Sequence, residues 1–236
     1  MILHNKTEKA TILHQTSVVG SISLPKSLND LRRICDSGEI DVVELRLDLY
    51  PDAAESLVSE TQKLNLPLLA TARCPTEGGK NDLTARQRED LLRPLLGTAT
   101  FVDLEISSLG EMSGFVQEIV ASPALLLASF HDFSGTPTLS ELTDSIRQAV
   151  EAGADAVKFA TTLRGPEDIA TLVSLFAIPD RPPLSVMGMG PLGKISRLLF
   201  GKLGSILNYG YLDAATVPGQ WEARRLKELL AEINRP

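Results

Sequence analysis

Lys158 lies in the run Gly153-Ala154-Asp155-Ala156-Val157-Lys158-Phe159-Ala160, where small and apolar neighbours give a charged amine little solvent. A primary amine in its neutral form on a rigid stretch can attack a carbonyl and form a Schiff base. The bland alternative is an edge strand or an interior ion pair. One unit earlier, Ser129-Phe130-His131-Asp132-Phe133 brings an imidazole, a group suited to moving protons near neutral pH. A lone histidine at a strand end is more often structural, and His131 gains weight from the lysine that follows it. In Glu44-Leu45-Arg46-Leu47-Asp48, period-2 alternation puts Glu44, Arg46 and Asp48 on one face and the two leucines on the other. A structural Glu–Arg bridge is the competing reading of that triplet. Arg73 precedes the loop Cys74-Pro75-Thr76-Glu77-Gly78-Gly79, which holds a carboxylate near the arginine, and Asp103 and Glu105 again stand two apart. Cys74 has no paired base in the sequence and reads as a bystander.

Together these residues set the cations Arg46, Arg73, Lys158 and Arg197 against Glu44, Asp103 and Glu105. Buried charges cost several kcal/mol each unless paired. A cation about 7 Å from Lys158 would disfavour its ammonium form by roughly 2.4 kcal/mol at an effective dielectric near 20. Carboxylates pull the other way, so the sequence leaves the sign of the net shift open.

The elements that must position these groups recur along the chain. Short apolar or β-branched runs at 18–23, 41–47, 66–73, 100–106, 124–130, 154–161, 183–189 and 205–211 read as strands. Amphipathic stretches separate them, such as 139–151 with Leu142, Ile146, Ala149 and Val150 assigned to one face and Gly153 as its stop. Pro166-Glu167-Asp168 reads as a helix start, and Pro218-Gly219 precedes a last helix over 220–233. Eight strand–helix units predict a single (β/α)₈ TIM barrel. It would be one domain over residues 1–236 with its core at about 17–234, and a short N-terminal extension would close the bottom of the barrel. An open doubly wound sheet is the structural alternative. Polar residues at so many strand ends favour the barrel, where those ends converge.

A net charge of −7 argues against non-specific nucleic-acid binding. Two cysteines, Cys35 and Cys74, make neither a disulfide framework nor a CxxC pair, and His4, His14 and His131 lie too far apart for a metal box. No run reaches membrane-spanning length, and the N-terminus has no secretory core. A cytoplasmic location follows as the default. Gly188-Met189-Gly190-Pro191-Leu192-Gly193 fits GxGxxG, with Asp213 positioned 20 residues beyond Gly193 as a ribose acid would be. Only 23 residues follow Asp213, too few for the rest of a dinucleotide fold, so a tight βα turn is the better reading.

In this order and spacing, the chain from about residue 18 to 220 resembles the type I 3-dehydroquinate dehydratases. The resemblance rests on Glu44-Leu45-Arg46-Leu47-Asp48, Arg73 with Glu77-Gly78-Gly79, Ser129-Phe130-His131-Asp132-Phe133 and Lys158. It continues with Met189-Gly190, Gly193-Lys194-Ile195-Ser196-Arg197 and Pro218-Gly219-Gln220. It implies a lyase that dehydrates 3-dehydroquinate to 3-dehydroshikimate through a lysine imine, in the shikimate pathway. No metal or organic cofactor is implied, and a homodimer is expected. Carried over by position, Lys158 would form the imine, His131 would be the general acid/base, and Glu77 would orient it. Ser21, Glu44, Arg46 and Arg73 would contact the ring and shape the pocket. Arg197 and Gln220 would take the carboxylate side, and Thr216, standing where the family usually has serine, would keep a hydroxyl contact to the substrate. A cleft rich in arginine lets an acidic protein bind an acidic substrate, because the local field decides.

Two other functions fit parts of the pattern. A class I aldolase also places an imine-forming lysine on a barrel strand, and a catalytically silent barrel could bind a small carboxylic acid through Arg46, Arg73 and Arg197. Residues 214–220, small and ending in Pro218-Gly219-Gln220, are expected to fold over the site as a lid.

Overall fold

The computed structural model of the chain describes residues 6–22, 32–34, 36–53, 59, 65–212, 214–215 and 217–235. Eight strands form one parallel sheet: β1 (Ser17–Ile22), β2 (Val42–Arg46), β3 (Leu68–Thr71), β4 (Phe101–Glu105), β5 (Leu125–Asp132), β6 (Ala156–Thr162), β7 (Leu184–Met189) and β8 (Leu207–Tyr211). The order β7-β6-β5-β4-β3-β2-β1-β8 places the two ends of the sheet side by side. Polar contacts close the remaining seam. Ile206 N donates to Leu184 O at 2.8 Å, Ser185 Oγ to Leu207 O at 2.6 Å, and Val186 N to Ser205 Oγ at 3.0 Å. The result is a nearly closed (β/α)₈ barrel, as the sequence predicts.

Alternation sorts the strand residues into two apolar sets. One set, including Val43, Leu45, Val102, Leu104, Leu126, Val157, Phe159 and Val186, packs beneath the helices. The other set lies inside the barrel, where Val19, Val42, Leu69, Phe101, Leu125, Leu127, Ala156 and Leu207 fill the lower half. A short helix α1 (Lys6–Ala10) and the turn Thr11–His14 stopper that end. Ile12 joins the lower cluster, Lys9 Nζ donates to Ala99 O at 2.6 Å, and Lys6 pairs with Asp155 at 3.0 Å. The N-terminal extension thus closes the bottom, as expected.

The described outer helices include α2 (Ala85–Leu92), α3 (Ser113–Ala121), α4 (Leu139–Glu151), α5 (Pro166–Leu175), α6 (Gly193–Lys202) and α7 (Ala223–Asn234). Thr84 and Thr138 open α2 and α4 with capping boxes completed by Gln87 and Glu141. Three local readings need correction. Val150 is 51% exposed, because a residue directly after buried Ala149 is turned about 100° from it. Strand β2 stops at Arg46, and Leu47–Leu49 form a 3₁₀ turn, so Asp48 leaves the alternation. Strand β5 runs on to Asp132, which puts His131 on the strand itself.

Candidate active site

Above the apolar floor, the interior positions become charged, and the strand ends open on a cavity of about 470 Å³. That volume suits a small ring bearing several polar groups. Its wall includes Ser21, Glu44, Arg46, Arg73, Glu77, His131, Lys158, Arg197 and Gln220. Thus nine of the ten residues singled out in the sequence meet in one place; the tenth, Thr216, lies outside the described residues, as does Asp213.

Lys158 projects from mid-β6 and is 3% exposed. Its Nζ donates to Asp103 Oδ2 at 3.1 Å and stands 4.3 Å from the centre of the Tyr209 ring. Burial pushes the ammonium below the ordinary lysine pKa, Asp103 resists that shift, and the Arg73 cation adds to it. The sign left open by the sequence is therefore downward, with desolvation rather than charge repulsion as its main cause. Asp103 sits under a net of donors: Arg73 Nη2 at 2.8 Å, Ser129 Oγ at 2.6 Å, and the lysine. Although burial opposes it, these cations hold the Asp103 carboxyl well below the usual range.

His131 and Glu77 form the second pair. Glu77 ends the turn Pro75–Glu77, and Gly78 follows with φ of 91°, a left-handed conformation that glycine accepts readily. Glu77 Oε2 accepts from the His131 backbone N at 2.9 Å and lies 3.1 Å from His131 Nδ1, while Ser107 Oγ donates to Oε1 at 2.7 Å. An ionised carboxylate can only accept, which fixes the proton on Nδ1 and leaves the Nε2 lone pair for chemistry. Burial raises the Glu77 pKa, opposed by the Ser107 hydrogen bond and by Arg73. For His131, burial and then the Arg73 and Lys158 cations hold the imidazolium well below its usual pKa, with Asp103 opposing. These effects favour the neutral imidazole over the imidazolium at His131.

The arginines differ in their partners. Arg46 grips Asp48 through Nε and Nη2, both at 2.8 Å. Arg73 is engaged with Asp103, Glu105 and Ser129. Arg197, from α6, is 1% exposed, and its hydrogen bonds go to backbone carbonyls: Gly219 O at 3.2 Å and Tyr209 O at 2.9 Å. Burial lowers its pKa to about 10, so it remains a cation at neutral pH. Glu44 Oε1 accepts from Thr71 Oγ1 at 2.9 Å.

The glycine run before α6 explains how the rim closes around Arg197. A Cβ at Gly193 would stand 2.9 Å from both Cα and O of Gly219, so only two glycines allow this crossing of chains. Gly190 N donates to Pro218 O at 3.0 Å, which ties residues 217–220 to the end of β7. The GxGxxG pattern therefore serves close backbone packing, as its reading as a βα turn requires. Ala214, Ala215, Val217 and Gln220 form the rim there.

Sequence reasoning missed Tyr209, Met187, Met189, Phe133 and Lys80 as parts of the wall. Tyr209, Met187 and Met189 occupy inward positions of β8 and β7, so alternation carried through those strands could have found them. Lys80 and Phe133 lie on loops with no periodic signal.

The chain from residue 18 to 235 matches the family described as Type I 3-dehydroquinase. A 3-dehydroquinate dehydratase of Methanothrix thermoacetophila is 34% identical over 206 residues, covering 85% of this chain and 87% of that protein. The crystal structure of 3-dehydroquinate dehydratase from Geobacillus kaustophilus superposes with a TM-score of 0.83 at 25% identity, covering 93% of this chain and 91% of that one. The enzyme of the same name from Aquifex aeolicus gives 0.78 at 26% identity, covering 93% and 99%.

Proposed function

The chain belongs to the type I 3-dehydroquinase family, and on that footing we propose the roles of its residues in the family reaction. That reaction is a hydro-lyase step of the shikimate pathway, the dehydration of 3-dehydroquinate through a lysine Schiff base. Lys158 is the imine-forming residue. The observation that carries this reading is a buried amine on a rigid strand, with its pKa lowered by desolvation, in the wall of the cavity.

The sequence of events follows from chemistry. Neutral Lys158 adds to the ketone carbon, and water leaves as the C=N bond forms. The protonated imine then acts as an electron sink that acidifies the neighbouring C–H. His131 Nε2 takes that proton, and an enamine forms. The pair of electrons returns as the C–O bond on the next carbon breaks, and His131 gives its proton to the departing hydroxyl, which leaves as water. Addition of water to the imine releases the enone and restores Lys158. The balance is the net loss of one water from the substrate. An electron sink built from the lysine itself leaves no step that calls for a metal or an organic cofactor.

Glu77 acts by orienting His131, which its contacts with both the backbone N and Nδ1 support. Arg197 binds the substrate carboxylate, because a buried guanidinium held by neutral carbonyls has no carboxylate partner among the described residues and the ligand brings one. Gln220 serves on that side, and Thr216, outside the described residues, keeps a hydroxyl contact to the substrate. Ser21, Glu44 and Arg46 contact ring hydroxyls, while Arg73 shapes the pocket chiefly through the acids it holds. We take residues 1–236 as one domain with its core at about 17–234.

A cytoplasmic homodimer is the proposed working form. The free thiol of buried Cys74 fits a reducing compartment. Ile195 and Leu199 on α6 and Leu203 just past its end, exposed at four-residue spacing, are a candidate contact between copies. Cell fractionation and light scattering check both; a periplasmic or monomeric protein contradicts them.

The direct test of the chemistry is reduction by borohydride in the presence of 3-dehydroquinate. A single adduct on Lys158, lost in a folded Lys158→Ala variant, is the expected result. An adduct on Lys194 or Lys202, or one undiminished in the variant, ends the assignment.

A further inference from the structure

A line of buried charges with alternating sign runs from behind the barrel wall to the cavity. Arg88, on α2, donates from Nη1 to Glu105 Oε2 at 2.5 Å and from Nη2 to Ser108 Oγ at 2.9 Å. Glu105 Oε1 accepts from Arg73 Nη1 at 2.8 Å. Arg73 Nη2 donates to Asp103 Oδ2 at 2.8 Å, and the same oxygen accepts from Lys158 Nζ at 3.1 Å. Arg88 is 3% exposed and is not part of the cavity wall. Its Nε has no hydrogen-bond partner among the described residues, so its position is not the one that would satisfy the guanidinium best. Geometry instead directs it at one carboxylate oxygen.

We propose that Arg88 is a positioning residue for Lys158: by neutralising one side of Glu105, it leaves Arg73 committed to Asp103 and so limits the hold of Asp103 on the lysine ammonium. The inference rests on the reading of Lys158 as the imine-forming residue. Its physical basis is sharing. Asp103 serves Arg73 and Lys158, and Glu105 serves Arg73 and Arg88, so Arg73 is common to both; each cation that leaves strengthens the claim of the remaining one. Without Arg88, the charge of Glu105 falls on Arg73, Arg73 leans toward Glu105, and Asp103 is left to Lys158. The ammonium is then favoured, and less neutral amine is present to attack the ketone.

The other groups facing Lys158 stay in place. Glu44 on β2 favours the ammonium, whereas Arg73 opposes it, and the cations Arg46 and Arg197 stand elsewhere in the cavity wall. His131 on β5 is neutral, β8 offers the Tyr209 ring, and β7 adds Ser185 and Met187 without charge. Arg88 itself bonds to Glu105, Ser108 and Met112 and to none of these groups.

Three variants test the proposal: Arg88→Met, Arg88→Lys, and Arg88→Met combined with Glu105→Gln. For each, kcat/KM is followed against pH, and the acetylation of Lys158 by acetic anhydride is followed against pH by mass spectrometry. Arg88→Met should move the acid limb of kcat/KM up by about one pH unit, a loss of about tenfold on that limb. The alkaline plateau should be kept, and the acetylation midpoint should move with the limb. Arg88→Lys, which keeps the cation, should stay near the wild-type profile. The double variant should return to it or fall below it. A folded Arg88→Met protein with an unmoved acetylation midpoint overturns the proposal, even if its Tm drops, and leaves Arg88 a brace for the barrel. If Arg88→Met does not fold, a midpoint above wild type in the double variant overturns it. Acetylation reads the basicity of Lys158 without turnover, so this arm stands even if borohydride trapping removes Lys158 from the imine role.

Discussion

The two ends of the cavity are built differently. At the reaction end, buried charges pair with one another: Lys158 and Arg73 on Asp103, Arg73 and Arg88 on Glu105, and His131 on Glu77. Most of these groups come from strands. At the opposite end, Arg197 comes from a helix, is held by two backbone carbonyls, and faces a rim made of residues after β8. Tyr209 touches both ends, with its carbonyl on Arg197 and its ring beside Lys158. The difference teaches how one small site can be both prepared and selective. Groups that must be aligned when bonds change are fixed in advance by β-strands. On the proposed reading, the group that identifies the ligand is Arg197, which is held by backbone carbonyls and finds no carboxylate among the described residues.

Replacing His131 by alanine probes the prepared end and carries the larger effect. We expect kcat to fall by about 10²- to 10⁴-fold, the usual range for a lost general base. Lys158 should still be trapped by borohydride, because imine formation does not rest on the imidazole. Steady-state turnover and mass analysis of the trapped protein measure the two together. Activity within a few-fold of wild type between pH 6 and 9 would make His131 structural and remove the base from the prepared end.

Replacing Arg197 by lysine probes the other end. A lysine keeps the charge but loses the fork that pairs with two carboxylate oxygens. KM should rise by about 10- to 100-fold, the worth of one or two charge-assisted hydrogen bonds, with kcat changed less. An unchanged KM with a lowered Tm would assign Arg197 to bracing α6 against Tyr209 O and Gly219 O, and the contrast between the ends would vanish.

The barrel and most of the prepared end were legible because period-2 alternation and charge are both local signals. Glu44, Asp103 and Lys158 had to face inward once their apolar neighbours packed under helices. The pattern failed where the backbone leaves the strand. Asp48 turns into a 3₁₀ segment and clamps Arg46, which no alternation rule anticipates. Arg88 was invisible for another reason. In Ala85–Leu92 it stands among Arg86, Glu89 and Asp90 and looks like part of a solvated face, yet it points at Glu105, a residue 17 positions away. The tabulated pKa of histidine likewise carries no trace of the burial of His131 or of the cations Arg73, Lys158 and Arg46 that the fold sets near it.

Hydrogen exchange measured with and without the borohydride-reduced adduct tests the contrast between the ends most directly. Residues 214–220 should gain protection as the ligand carboxylate reaches Arg197 and the rim folds over it, while β4, β5 and β6 exchange equally slowly in both states. Equal protection of 214–220 in the two states, or a gain centred on β4–β6, would contradict a prepared end facing a selective one.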